Sequence, residues 1–167
     1  PVVRMNNLAR GRLDFSDVMR VRPEDTIERF ALRDGDVLLG MSGSIGSTGS
    51  LGNFAIVKER DTPCQLNQRV GRFVCSPTIN RKFLAYFVGA SPFTEPLILG
   101  CTGTAQFNIS AEQVGAIRVG LPSTVEQEAI AAHLEREAAR IDSLTAKIES
   151  SIALLSEYRT ALISAAV

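Results

Sequence analysis

LPSTVEQEAIAAHLEREAARIDSLTAKIESSIALLSEYRTALISAAV, residues 121–167, is the stretch whose reading decides the architecture of this chain. Pro122 closes an extended segment, Ser123 can cap a first helical turn, and Glu126 follows three residues later to reach back to the cap, which is a capping box. Neither Gly nor Pro interrupts the sequence from there to Val167. Apolar residues recur at Ile130, Leu134, Ala138, Ile141, Leu144, Ile148, Ile152, Leu155, Tyr158 and Leu162, in steps of three and four, so one stripe runs the length of the helix. At 1.5 Å per residue such a helix extends roughly 60 Å. A stripe so long and narrow has to be covered from outside, and another helix in coiled-coil geometry is the usual partner. Ile130, Leu134, Ile141, Leu144, Ile148, Ile152, Leu155 and Leu162 are therefore expected to form a helix interface, on a stalk of residues 123–167 behind a globular head of residues 1–122.

The head reads as an irregular, strand-rich α+β unit. Residues 2–5 are a candidate strand turned at Gly11, and residues 26–32 a short helix broken at Arg33-Asp34-Gly35. The continuous apolar run 36–41 reads as a buried strand partnered by residues 54–58, and residues 70–75 give a third. Ile79, Phe83, Leu84, Phe87 and Val88 have helical spacing after a start at Ser76-Pro77-Thr78. A second short helix is expected at 93–99 despite Pro96. Ser110 and Gln113 form another capping box, and residues 117–119 return to a strand.

With 167 residues there is room for one core and an appendage. The net charge of +0 hides an asymmetry. The first 122 residues carry 14 Lys and Arg against 11 Asp and Glu, while the remainder carries 4 against 7. Twelve of the 14 head cations are Arg, the side chain suited to bidentate contact with phosphate and guanine. Cys64, Cys75 and Cys101 are odd in number and contain no C-x-x-C pair, which points away from a disulfide framework or zinc site and toward a reducing cytoplasm. No apolar run approaches a membrane span, and the first residues are unlike a signal peptide.

Gly40, Gly43, Gly46, Gly49 and Gly52 recur every third residue between the first two strands of that core. A nucleotide P-loop would need Gly-Lys-Ser/Thr ahead of a helix, and this loop has no Lys. Two compatible readings stay open: glycines serving tight turns and positive φ, or a DNA-facing loop in which Ser42, Ser44, Ser47 and Thr48 bond phosphates or base edges. Gln65, Asn67, Gln68, Arg69 and Arg72 form the best direct-readout candidate, since amides pair with adenine and Arg with guanine; the alternative is that part of this run bonds backbone at a strand start. Thr102, Thr104, Gln106 and Asn108 carry the same ambiguity. Arg81 and Lys82 suit phosphate contact more than base contact. The single His133 lacks partners for a catalytic or metal role and reads as a solvated or interface residue. With no nucleophile elbow, no second His and no Asn/Asp-Pro-Pro-Tyr/Phe motif, the head is expected to be non-catalytic, with neither cofactor nor metal.

The run Leu121-Pro122, Glu126-Gln127, Ile130, Leu134, Ile141-Asp142, Leu155, Arg159, Leu162-Ile163 and Ala165-Ala166-Val167 resembles the spacer helix of the DNA specificity subunit of type I restriction-modification systems. LRDGDVLLGMSGSIGSTG (residues 32–49), LNQRVGRFV (66–74) and GTAQFNIS (103–110) resemble, in order, the target-recognition domain of the same family. The resemblance implies a DNA target-recognition domain over 1–122, N-terminally incomplete, and a spacer helix over 123–167 that continues beyond it. It further implies a non-catalytic subunit that reads half of a bipartite site on double-stranded DNA. Its helix would pack against a second spacer helix, in the same chain or in a homodimer, and dock the methyltransferase subunits and, through them, the restriction subunit. Two rivals are the specificity tail of a single-chain restriction-methylation enzyme and a coiled-coil protein-interaction adaptor. Ser42, Ser44, Ser47, Thr48, Gln68, Arg69, Arg72, Thr104 and Gln106 are the residues expected to touch DNA.

Overall fold

The computed structural model describes residues 1–46 and 49–165 of the chain. Among these residues the fold is α+β, with ten short strands: β1 (Val2–Val3), β2 (Leu8–Ala9), β3 (Arg12–Leu13), β4 (Ala31–Leu32), β5 (Val37–Gly40), β6 (Ser42–Gly43), β7 (Phe54–Ile56), β8 (Cys64–Leu66), β9 (Val70–Arg72) and β10 (Phe107–Asn108). Four helices join them: α1 (Arg81–Phe87), α2 (Ser91–Leu99), α3 (Ala111–Gly115) and α4 (Thr124–Ala165). The strands form antiparallel β7-β5-β9, mixed β1-β8-β4, and the pairs β2-β3 and β6-β10.

β5 is buried along its whole length. Successive side chains of a strand point to opposite faces, and here each face meets a core. Leu38 packs with Val3, Leu8, Leu32, Ala55, Val57, Cys64 and Val70. Val37 and Leu39 pack with Ala85, Val88, Phe93, Leu97 and Ile109, largely from α1 and α2. Double-sided burial is why this strand reads as an unbroken apolar run instead of an alternating one. β7, within the stretch expected to partner β5, pairs with it antiparallel, Leu38 opposite Ala55.

Elsewhere local sequence and tertiary pairing disagree. Residues 26–32 form only a three-residue 3₁₀ turn, Glu28–Phe30, before Ala31 and Leu32 are drawn into β4 by pairing with β8. The strand expected at 117–119 does not form; Ile117 and Val119 pack against the second core while their backbone finds no ladder among the described residues. α1 starts later than expected because Asn80 is its cap, its side chain accepting hydrogen bonds from the Lys82 and Phe83 N–H groups. β8, at the centre of the mixed sheet, was not expected from the sequence. α3 carries its capping box: Gln113 N–H donates to Ser110 Oγ at 3.1 Å, and Ser110 N–H to Gln113 Oε1 at 2.8 Å.

The chain divides into two compact units, Pro1–Glu128 and Ala129–Val167. The first includes the opening turn of α4. There Ser123 N–H donates to Glu126 Oε2 at 2.9 Å and Glu126 N–H returns to Ser123 Oγ at 3.3 Å. The Ser123 hydroxyl, donating to the same carboxylate oxygen at 2.7 Å, and the Ser123 N–H hold the Glu126 carboxyl below its usual range. Gln127, fully buried, accepts from Asn80 N–H at 2.9 Å and donates to the Pro122 carbonyl at 3.0 Å. The described residues of the second unit are helix alone. Leu134 is half-buried there, whereas Ile141, Leu144, Ile148, Ile152, Leu155 and Leu162 are each 50% to 65% exposed.

Burial pushes the Cys64 thiol up to about 11, with the nearby Asp61 carboxylate adding to the rise. The unfolded thiol ionises at its ordinary 9.0, so between pH 9 and 11 the unfolded chain binds fewer protons than the folded one and stability falls as pH rises. Cys64→Ala should flatten that part of a denaturation-versus-pH profile; an unchanged slope would assign it to other groups.

Candidate nucleic-acid interface

Beyond β5 the chain runs through Met41 into β6, and this short connection draws together three polar segments distant in sequence. Met41 N–H donates to the Arg69 carbonyl at 3.1 Å, and its own carbonyl accepts from Ile109 N–H at 3.0 Å. β6 pairs with β10, Asn108 opposite Ser42. Thr102 and Asn108 exchange backbone hydrogen bonds at 2.9 Å, closing the loop between them. The glycine-rich segment, the 67–69 turn and the 102–108 loop therefore meet at one sheet edge.

Asn108 is the hub of the side chains there. Its Oδ1 accepts from Ser42 Oγ at 2.7 Å and from Arg69 Nη1 at 3.4 Å, and its Nδ2 donates to the Gln106 carbonyl at 3.3 Å. Gln106 Nε2 donates to Ser42 Oγ at 3.4 Å. Ser50 Oγ donates to the Ser42 carbonyl at 3.2 Å. Gly43 adopts φ 135°, and a Cβ there would land on Ser50 Oγ, so glycine is required for this approach. The network holds one guanidinium, amides and hydroxyls, and no carboxylate. Such a set can bond base edges and phosphates, and it does not repel a polyanion.

Ser44, Gln68, Arg69, Thr104 and Gln106 are exposed at this edge, while Ser42 is buried beneath it. Ser47 and Thr48 lie outside the described residues. The 65–72 run divides between its two readings. Gln65 Oε1 accepts from Ile27 N–H at 3.1 Å, and Asn67 Oδ1 from Arg69 N–H at 3.1 Å, both backbone-directed. Arg72 faces away from the hub: it donates to the Ala31 carbonyl at 2.9 Å and the Arg29 carbonyl at 3.2 Å, and stands 3.5 Å from the Asp36 carboxylate. Its guanidinium braces β9 against β4, which is a structural use of a residue expected to touch DNA. Arg81 and Lys82 are exposed at the start of α1, and His133 is exposed on α4. Among the described residues no group of His, Cys, Asp and Glu could hold a metal, and no helix is long and apolar enough to cross a membrane. Asn108, the centre of the network, was not singled out from sequence above its neighbours. Its partners lie in segments up to 66 residues away, and no local pattern announces them.

A family model described as the type I restriction modification DNA specificity domain matches residues 1–153. The type I restriction enzyme StySPI specificity subunit of Salmonella potsdam is 26% identical over 167 residues, all of this chain and 35% of that protein. The MjaVIII specificity subunit of Methanocaldococcus jannaschii is 31% identical over 137 residues, 80% of this chain and 32% of that protein. The chain thus spans about a third of the length of these curated relatives. The crystal structure of an HsdS subunit from Thermoanaerobacter tengcongensis shares the fold, with TM-score 0.63 and 17% identity over 86% of this chain and 36% of that one.

The geometry separates two arginines three residues apart. Arg72→Ala should lower stability by about 1–3 kcal/mol, because its bond to the Ala31 carbonyl is part-buried and would be lost together with the Asp36 contact. Arg69→Ala, exposed, should stay within about 0.5 kcal/mol of the parent. Urea denaturation of both variants measures the difference; equal losses would give Arg69 a structural role as well.

Proposed function

We infer that this chain, which belongs to the type I restriction-modification DNA specificity family, recognises DNA sequence through the loop edge centred on Asn108. The observation that carries the reading is the convergence of three polar segments, none of which could present a binding face alone. Ser44, Gln68, Arg69, Thr104 and Gln106 contact the duplex, joined by Ser47 and Thr48 of the same glycine-rich loop. Ser42 and Asn108 support them from below. The amides and guanidinium suit adenine and guanine edges in the major groove. The unit does no chemistry itself.

In this proposal residues 1–122 are the recognition domain and residues 123–167 the spacer. One unit reads half of a bipartite site. The exposed stripe of α4, from Ile130 through Leu162, packs against a second spacer helix, and helix length sets the gap between half-sites. The same helix docks methyltransferase subunits, through which the restriction subunit joins. Family membership supports these roles, and the stripe's exposure supports a helical partner.

Recognition by few contacts should be weak and strongly salt-dependent. Gln68→Ala or Arg69→Ala should reduce discrimination between sequences by about 1–3 kcal/mol while changing affinity for random duplexes less. Binding isotherms on a selected site and on random duplex test this, and equal losses on both would move the residue to the phosphate-contact class. For the helix, replacing Leu144 and Ile148 together by Asp should weaken association by several kcal/mol, through lost burial and desolvated charge. Sedimentation reads it, and a parent chain that is monomeric at tens of micromolar would place the partner helix elsewhere.

A further inference from the structure

The hydrogen bonds around Asn108 have a direction, and that direction fixes which way each amide faces. An amide's oxygen and nitrogen are told apart by what they touch. Arg69 Nη1 can only donate, and it stands 3.4 Å from one end of the Asn108 amide, so that end is the oxygen. The Gln106 carbonyl can only accept, and it stands 3.3 Å from the other end, so that end is the nitrogen. Neighbours on both sides thus give Asn108 one orientation.

The consequence passes to Ser42. Its hydroxyl has a single proton, and Asn108 Oδ1, 2.7 Å away, can only accept, so the proton goes there. Toward Gln106 the hydroxyl oxygen then offers lone pairs alone, and the Gln106 amide, 3.4 Å away, must meet it with Nε2. Ser42 is buried and Gln106 exposed, so the nitrogen is engaged with the inner layer and Oε1 is left for what lies outside; among the described residues it has no partner. The backbone beneath is held as well. The Gln106 carbonyl accepts from Asn108 Nδ2 and packs against Gly103, whose φ of 110° and missing Cβ permit the approach.

We propose that Gln106 reads an exocyclic amino group in the major groove, its Oε1 accepting from N6 of adenine or N4 of cytosine, with the relay from Asn108 through Ser42 fixing that polarity. Guanine O6 and thymine O4 are themselves acceptors at the corresponding places, so an oxygen held toward them is repelled. The proposal rests on the DNA-recognition reading above and adds to it a hydrogen-bond polarity at one position. Gln106 makes the base contact, and Ser42 and Asn108 are positioning residues.

The probe is a site selected from random duplex by the 167-residue chain at low salt. Each adenine of that site is replaced in turn by purine, and each cytosine by the pyrimidinone that lacks its amino group. Loss of one amino group should weaken binding about fivefold to tenfold at one position, and Gln106→Ala should abolish the effect there while leaving the other positions as they were. Whether that position holds adenine or cytosine identifies the source of the amino group. Ser42→Ala keeps Gln106 but frees its amide to turn, so discrimination between amino and keto bases should collapse at that position alone. Unchanged or uniformly blunted discrimination in Ser42→Ala would overturn the relay. A guanine or thymine at the Gln106-dependent position, or a Gln106→Ala loss spread equally over all positions, would overturn the polarity and leave sequence recognition standing. A parent that selects no site would remove both. If Ser42→Ala does not fold, Gln106→Ala decides alone, since that side chain is exposed.

Discussion

The burial of β5 on both faces is the constraint on which the rest of the head depends. Leu38 belongs to one core and Val37 and Leu39 to the other, so the strand ties the mixed sheet to the helices α1 and α2. Each of these side chains, fully buried, contributes about 1.5–3 kcal/mol. A one-residue slip would turn Leu38 toward the helices and its neighbours toward the sheet, and β5 is paired on both edges, so its register has no freedom. Gly40 ends the strand within 2.5 Å, by its missing Cβ, of the Ser50 carbonyl oxygen, so the loop folds back tightly over it. Whatever β5 fixes is passed directly to Met41 and Ser42.

The loop edge around Asn108 inherits that rigidity. Ser42 is buried, and a buried hydroxyl without a partner would cost roughly 1–3 kcal/mol; its bond to Asn108 removes that penalty and orients the amide. Asn108 in turn holds the Gln106 carbonyl and one end of Arg69. The side chains offered to solvent thus stand on a layer whose own hydrogen bonds are made inward, and a site supported in this way can vary its outer residues without losing its geometry. Arg72, on the same short strand as Val70, shows the other use of the same chemistry: turned toward carbonyls and Asp36, an arginine becomes a brace.

α4 rests on different physics. A helix of 42 residues with its apolar stripe half exposed is anchored by its own chain chiefly at its beginning. The beginning is well made: Ser123 and Glu126 satisfy each other's backbone groups, and buried Gln127 bonds to Asn80, the cap of α1, so one amide joins the starts of two helices. The first compact unit reaches to Glu128 for that reason, beyond the helix's own first residue.

The sequence by itself determined those features whose physics is local. The capping boxes at Ser123 and Ser110, the uninterrupted 3.6-residue stripe and the buried strand all rest on residues within a few positions of each other, and each stands in the structure as read. So does the order of motifs that marks the family. Only the tertiary structure decided the pairing of β6 with β10 and of β1 with β8, the strand at Ala31–Leu32 in place of a helix, and the coil at 117–119. It alone chose Asn108 as hub and turned Arg72 inward. Strands of two residues have no periodicity to read, and a polar side chain declares its use through a partner tens of residues away, so these choices are made by the energy of the assembled core and not by any segment within it.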